Sequence, residues 1–272
     1  MPSQDENILI AVDGGNIAGT LVMPAPKLPG VLFVHGWGGS QQQYLARARQ
    51  IAALGCVCLA FDLRGHAGTR PQQETVSREN NLRDVIAAYD VLASHRLVDP
   101  ASIALVGSSY GGYLAAILTS LRPAKWLALR APALYMDQDW NVPKRQLHRG
   151  DELLTYRQQL VMAADNRALR ACAAFHGDIL LVESEHDQVI PHAVIASYLE
   201  AATQAHSMTY RMLRETDHGL TDEASQRAYT TLLLNWMKEM IVGSTSGLPE
   251  RRKQDSDSKL GGQTRRNLAE NG

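Results

Sequence analysis

The chain is predicted to fold in the α/β class, as a mainly parallel sheet of about eight strands with helices on both faces. Three observations point there. Short apolar runs alternate with helix-period segments along most of the 272 residues. Hydrophobic residues make up 45% of the chain and charged residues 20%, the balance of a soluble protein long enough to bury a full core. A glycine-rich turn, Gly107-Ser108-Ser109-Tyr110-Gly111-Gly112, stands directly between an apolar run and a helical pattern, as a βα connection requires.

The elements follow in order. Residues 7–23 alternate apolar and polar side chains around Asp13-Gly14-Gly15-Asn16, which reads as a β-hairpin whose glycines take the positive φ angles. Residues 31–34 are wholly apolar, the pattern of a parallel strand buried on both faces. A helical period covers 41–54, and Gly55 ends it before the strand 56–61. The next helix, 78–95, carries Leu82, Val85, Ile86, Tyr89 and Leu92 on one stripe. Strand 102–106, helix 110–121 and strand 126–129 come next. From 133 to 175 the alternation loosens into proline, tryptophan, tyrosine and charged residues, so 133–176 is expected to be a short helical cap insertion over the sheet edge. Regular order resumes with strand 179–182, helix 193–202, strand 207–213 and the amphipathic helix 223–240.

These elements make residues 1–243 one domain. Beyond it, 244–272 is rich in charge and glycine and has no aromatic residue, so it is expected to be a disordered tail. Lys and Arg number 27 against 28 Asp and Glu, a net charge of −1, which argues against a nucleic-acid or anionic-membrane partner. No stretch reaches the ~18 apolar residues of a membrane span, and residues 1–6 do not begin a secretion signal. Cys56, Cys58 and Cys172 read as small buried hydrophobes of a reducing compartment, so a cytoplasmic location is expected. No paired Cys-x-x-Cys or similar framework suggests a metal, and no cofactor is implied.

The chemistry centres on Ser109. Gly-x-Ser-x-Gly fits in one frame only, with Gly107 and Gly111 giving strand and helix room to approach. Such a turn lifts the serine hydroxyl above the sheet and aims a helix N-terminus at developing negative charge. A serine needs a base and an orienting carboxylate, each on a loop after a later strand. His218, in Glu215-Thr216-Asp217-His218-Gly219, sits between the last strand and the last helix and is the expected base. Asp187 is the expected acid, far enough along the loop after 179–182 to turn toward it, with Glu183 and Glu185 as rivals. Asp217 is expected to cap its own loop. The oxyanion donors are expected to be the backbone N–H of Tyr110 and of Trp37, in the turn His35-Gly36-Trp37-Gly38-Gly39, with His35 holding that turn in shape.

Taken together, the His35-Gly36-Trp37 turn, Asp62-Leu63-Arg64-Gly65-His66, the Ser109 turn, the Asp187 loop and Asp217-His218-Gly219 make the chain resemble an α/β-hydrolase over residues 7–241. Within that superfamily the Ser109 turn and the segment from Asp187 to Pro191 are similar to prolyl oligopeptidase-type catalytic domains and to dienelactone hydrolase-like esterases. The chain departs from both, with no β-propeller before the domain and a serine where dienelactone hydrolases proper carry cysteine. Asp62 to His66 usually shapes the loop beside the active site in that superfamily, and is read as structural. The resemblance implies a cofactor-free serine hydrolase acting on small to medium carboxylic esters, with a small-molecule ester as its partner. A peptidase, acylaminoacyl hydrolase or thioesterase using the same triad, or a non-catalytic binding protein on the same scaffold, are the alternatives. Specificity is expected from the insertion, with Tyr135, Trp140 and Tyr156 walling a pocket or simply packing the cap. Arg130, at the end of a strand on the catalytic side, pairs either with a substrate carboxylate or with a structural acid.

Overall fold

The computed structural model describes residues 3–12, 15–24, 27–148 and 151–245. Two strands, β1 (Ser3–Val12) and β2 (Gly15–Pro24), pair antiparallel in a sheet of their own. The proposed turn residues Asp13 and Gly14 lie outside the described residues, as does the proposed tail from 246 onward. The main sheet is built from β3 (Leu28–Val34), β4 (Val57–Ala60), β5 (Val98–Ser108), β6 (Trp126–Arg130), β7 (Asp178–Ser184) and β8 (Ser207–Leu213). Its order is β4-β3-β5-β6-β7-β8 and every pairing is parallel. Against the expected eight, the described residues form six strands in the parallel sheet and two in the separate antiparallel pair.

The helices are α1 (Gln42–Ala52), α2 (Arg78–Ala93), α3 (Tyr110–Leu118), α4 (Asp151–Arg157), α5 (Arg167–Ala173), α6 (His192–Ala201) and α7 (Glu223–Thr245). Strand side chains alternate between two cores, which explains why the strands read as unbroken apolar runs. Val31, Phe33, Ala104, Val106, Leu180 and Val182 point to a core with Tyr44 and Ile51 of α1 and Tyr229, Leu233 and Trp236 of α7. Their neighbours Leu32, Val34, Leu105, Leu129 and Leu181 point to a second core with α2, α3, α5 and α6. The helix α2 starts at a capping box: the Ser77 side chain accepts from the Asn80 N–H at 3.2 Å, and the Asn80 side chain accepts from the Ser77 N–H at 3.0 Å.

Two differences from the sequence reading stand out. A 3-10 segment, Ala67–Glu74, precedes α2; it contains Pro71 and buries no residue, so it leaves no apolar period to read. Segment 133–175 connects β6 to β7, which are interior neighbours, and its helix α5 packs on α3 and α6. It therefore lies over the interior of the sheet and not over an edge. The functional consequence of the topology is at β3. The chain leaves β3 for β4 on one side and returns to β5 on the other, so the loops after β3 and β5 open a crevice at the carboxyl ends of adjacent strands.

Leu105, fully buried on central strand β5, and Val91, 64% exposed on α2, provide a test of this layering. Leu105→Ala is expected to cost about 2–5 kcal/mol of unfolding free energy in a urea titration. Val91→Ala is expected to stay within about 0.5 kcal/mol of the parent.

Candidate active site

The crevice is occupied by Ser109, the N-cap of α3, with φ 51° and ψ −120°. A non-glycine residue in that region is strained by about 1–3 kcal/mol and must be held there by its surroundings. Two backbone contacts hold it. A Cβ on Gly111 would lie 2.1 Å from the Val34 carbonyl oxygen, and one on Gly107 would lie 2.5 Å from the Gly111 carbonyl oxygen. The Ser109 N–H donates to the Arg130 carbonyl at 2.9 Å, and its own carbonyl accepts from Ala133 at 2.9 Å and Tyr113 at 3.1 Å.

The structure brings Ser109, His218 and Asp187 together. His218 Nε2 lies 3.0 Å from Ser109 Oγ and His218 Nδ1 lies 2.7 Å from Asp187 Oδ2. Asp187 Oδ1 accepts the N–H groups of Val189 and Ile190, both at 2.8 Å. Burial raises the Asp187 carboxyl, but the His218 hydrogen bond and the Ile190 and Val189 N–H groups outweigh it and hold it below the usual range. An ionised carboxylate only accepts, so the proton sits on His218 Nδ1, and Nε2 is left to accept the Ser109 hydroxyl proton. The rival acids are committed elsewhere. Glu185 accepts the Glu215 N–H at 2.8 Å. Glu183 takes His192 and Tyr210. Asp217 accepts the N–H and hydroxyl of Thr221, capping its loop as expected. Burial pushes the three thiols up, Cys56 to about 11 and Cys58 and Cys172 to about 12, so none is a thiolate near neutrality.

The loop after β3 is a tight turn. The Gly39 N–H donates to the Gly36 carbonyl at 3.0 Å, and Gly38 has φ 79°, so Trp37 occupies the second position with its N–H outside the turn's own bond. Gly36 brings the loop against the nucleophile, since a Cβ there would lie 3.3 Å from Ser109 Cβ. The Tyr110 N–H, at the first residue of α3, has no intrahelical acceptor. His35 does hold the loop: its Nδ1 meets the Gly36 carbonyl at 2.8 Å and its Nε2 accepts the Leu63 N–H at 3.0 Å. Burial lowers its pKa, so the ring is neutral.

The walls differ from those expected. A cavity of about 330 Å³ opens beside Ser109, lined among others by Trp37, Tyr44, Arg47, Arg130, His218 and Tyr229. Arg130 is in it; Tyr135, Trp140 and Tyr156 are not. Tyr135 is 4% exposed and packs edge-on against Tyr110 and Tyr113 at 5.8 and 5.0 Å. Trp140 stacks on Tyr113, and the guanidiniums of Arg78 and Arg167 lie 4.9 and 4.6 Å from its ring centroid. The Tyr156 hydroxyl accepts from Asn166 at 3.0 Å. The physical reason is buried cationic charge. Arg78 donates to the carbonyls of Met136 and Gln138, and Arg157 to that of Leu134, so the segment's aromatic rings turn inward around guanidinium groups.

Several residues beside the site escaped the sequence reading. Arg47 and Tyr229 belong to the helices that follow the Trp37 and His218 loops, a topological signal that could have found them. Lys144 had no such signal. Fully buried, its Nζ lies 4.1 and 4.5 Å from the Trp37 and Tyr110 ring centroids, which flank the two proposed oxyanion donors. Burial, with Arg157 and Arg78 nearby, holds its pKa well below the usual lysine range. Among the described residues no group of three or more His, Cys, Asp or Glu could hold a metal ion. Among them too, no helix is long and apolar enough to cross a membrane.

The model of the prolyl oligopeptidase family matches residues 41–244. An uncharacterised protein of Mycobacterium tuberculosis H37Rv is 27% identical over 178 residues, 65% of this chain and 58% of that protein. The chain thus spans less than two thirds of that relative's length. Protein phosphatase methylesterase 1 of Candida glabrata is 32% identical over 98 residues, 32% of this chain and 25% of that protein. Among solved structures, a metagenome-derived lipolytic enzyme has a TM-score of 0.61 at 17% identity, covering 79% of this chain and 95% of that one. A thermophilic carboxylesterase from a metagenomic library has 0.57 at 21%, covering 88% and 89%. Dienelactone hydrolase from Anabaena variabilis has 0.54 at 18%, covering 86% and 96%. These likenesses show the α/β-hydrolase fold.

Gly111→Ala forces a Cβ into the Val34 carbonyl. It is expected to lower unfolding free energy by roughly 1–3 kcal/mol in denaturant titration; a variant as stable as the parent would show that the turn tolerates more space. Because the folded Asp187 carboxyl titrates below its unfolded value, its interactions stabilise the protein above the ordinary carboxylate range, and this is lost as pH falls through the folded value. Asp187→Asn is therefore expected to be less stable at neutral pH and to lose less on acidification. Parallel stability curves for the two proteins between neutral and acid pH would contradict that.

Proposed function

The chain belongs to the prolyl oligopeptidase family, and from that premise we propose that it is a serine hydrolase cleaving small to medium carboxylic esters. One observation carries the proposal: the hydrogen-bonded chain Asp187–His218–Ser109, with the serine on a strained strand-to-helix turn. Ser109 Oγ attacks the ester carbonyl while His218 Nε2 takes its proton. Asp187 keeps Nδ1 protonated and stabilises the imidazolium that forms. The N–H groups of Trp37 and Tyr110 receive the oxyanion. As the tetrahedral intermediate collapses, the bond to the alkoxy oxygen breaks and Nε2 returns the proton to the departing alcohol. Water then repeats the sequence on the acyl-enzyme, so one ester and one water become one acid and one alcohol.

Two further observations bear on the substrate. A cavity of about 330 Å³ is at the small end of ligand sites, which favours short acyl groups over long chains. The family match favours the peptide-bond reading, in which an aminoacyl amide enters the same machinery. A cytoplasmic site of action belongs to the same proposal, supported by the three free thiols Cys56, Cys58 and Cys172.

Turnover of 4-nitrophenyl acetate, butyrate and octanoate by wild type, Ser109→Ala and His218→Ala tests the proposal, with an aminoacyl anilide run beside them. The wild type is expected to favour the shorter esters over the anilide. Both variants are expected to lose roughly six orders of magnitude in kcat while remaining folded. Ester turnover in Ser109→Ala at the wild-type rate would overturn the assignment.

A further inference from the structure

The cavity beside Ser109 has an unusual charge. Two guanidinium groups line it, from Arg130 and Arg47, and among its lining residues there is no carboxylate. Arg130 is 93% buried, being 7% exposed. Its Nε reaches the Ser108 hydroxyl at 3.3 Å, its guanidinium lies 5.9 Å from the Tyr229 ring centroid, and its Nη1 has no hydrogen-bond partner among the described residues. Arg47 flanks the same ring at 5.1 Å, tied to Thr230 Oγ1 at 2.9 Å and the Gln43 carbonyl at 3.0 Å. Among the described residues neither arginine forms an ion pair, whereas Arg64, Arg122 and Arg170 each have a carboxylate partner.

Burying a guanidinium costs several kcal/mol unless charge or hydrogen bonds compensate it. A cation–π contact with Tyr229 and one long bond to a neutral hydroxyl compensate only part. Arg130 and Arg47 both line the cavity shared with the nucleophile, where no carboxylate of the lining offsets their charge. We propose that Arg130, with Arg47 at the outer side, is a carboxylate-binding subsite, and that the substrates are short esters bearing a free carboxylate. The inference rests on the hydrolase reading of Ser109 and names its substrate class.

Geometry limits the distance between the two ends of such a substrate. Arg130 and Ser108 are partners on adjacent strands, and the Arg130 carbonyl holds the Ser109 N–H. The guanidinium Nε reaches the side chain of Ser108, the residue before the nucleophile, so the bound carboxylate is expected within a few bonds of the scissile carbonyl. Arginine suits this task because its planar fork meets both carboxylate oxygens.

Monomethyl glutarate and its neutral isostere methyl isoheptanoate, followed by pH-stat titration, test the inference. The wild type is expected to favour monomethyl glutarate by roughly ten- to hundred-fold in kcat/KM, the range of one charged hydrogen-bonded contact. Arg130→Gln is expected to lose the preference, with most of the change in KM, and Arg130→Lys to recover part of it. Calorimetric binding of monomethyl glutarate to Ser109→Ala, with and without Arg130→Gln, provides a readout independent of turnover. If the neutral ester is hydrolysed as well as the charged one, the carboxylate subsite falls and the hydrolase reading stands. If neither ester turns over but monomethyl glutarate binds in an Arg130-dependent way, the subsite stands and the hydrolase reading falls. Should Arg130→Gln fail to fold in a thermal melt, the wild-type comparison and Arg130→Lys decide between these results.

Discussion

The contact on which the site depends is between two stretches of backbone, where Gly111 at the start of α3 meets the carbonyl of Val34 at the end of β3. No side chain fits between them. That approach pulls the first turn of α3 against the neighbouring strand and forces Ser109 to φ 51°, a conformation the residue would not adopt unaided. It also sets the loop after β3 over the nucleophile, where a Cβ on Gly36 would meet Ser109 Cβ at 3.3 Å, closer than ordinary contact. Because β3 and β5 are adjacent strands whose outgoing connections diverge, the two loops meet in an open crevice. Strain, loop placement and access thus follow from one close packing.

The two faces of the sheet support this site differently. On one face α1 and α7 supply the cavity walls, through Tyr44, Arg47 and Tyr229. On the other, Tyr110, Tyr113, Tyr135 and Trp140 pack around Arg78, Arg157 and Lys144. Lys144 lies over the ring of Trp37, so this cluster props one proposed oxyanion donor from behind while the α1 and α7 face stays open to a ligand. The Tyr110 hydroxyl, donating to Asn81 at 3.1 Å, anchors the other.

What could be read in the chain was what repeats or what keeps its order. Parallel strands buried on both faces print themselves as apolar runs, so 31–34, 126–129 and 179–182 fall within β3, β6 and β7. Ser109, Asp187 and His218 could be named because each follows its own strand, an order that needs no distances. What could not be read depended on which way a side chain turns. Tyr135 and Trp140 have the composition of a pocket wall, and only the buried guanidiniums of Arg78 and Arg157 decide that they face the core. Lys144, charged and in a proline-flanked loop, reads as a surface residue until its aromatic surroundings are known. Arg130 was legible as a strand-end cation. Whether it met a carboxylate in the protein or faced an open cavity was a question of three dimensions.

The central claim is that Ser109 is a nucleophile activated by His218. Labelling the folded protein with a fluorophosphonate probe, then measuring intact mass and mapping the modified peptide, tests it most directly, because a phosphonate reacts only with a serine whose proton has an acceptor and whose oxyanion has donors. The account predicts one equivalent of label, carried by Ser109 and absent in His218→Ala. Label on another residue, or none on folded protein, would contradict it.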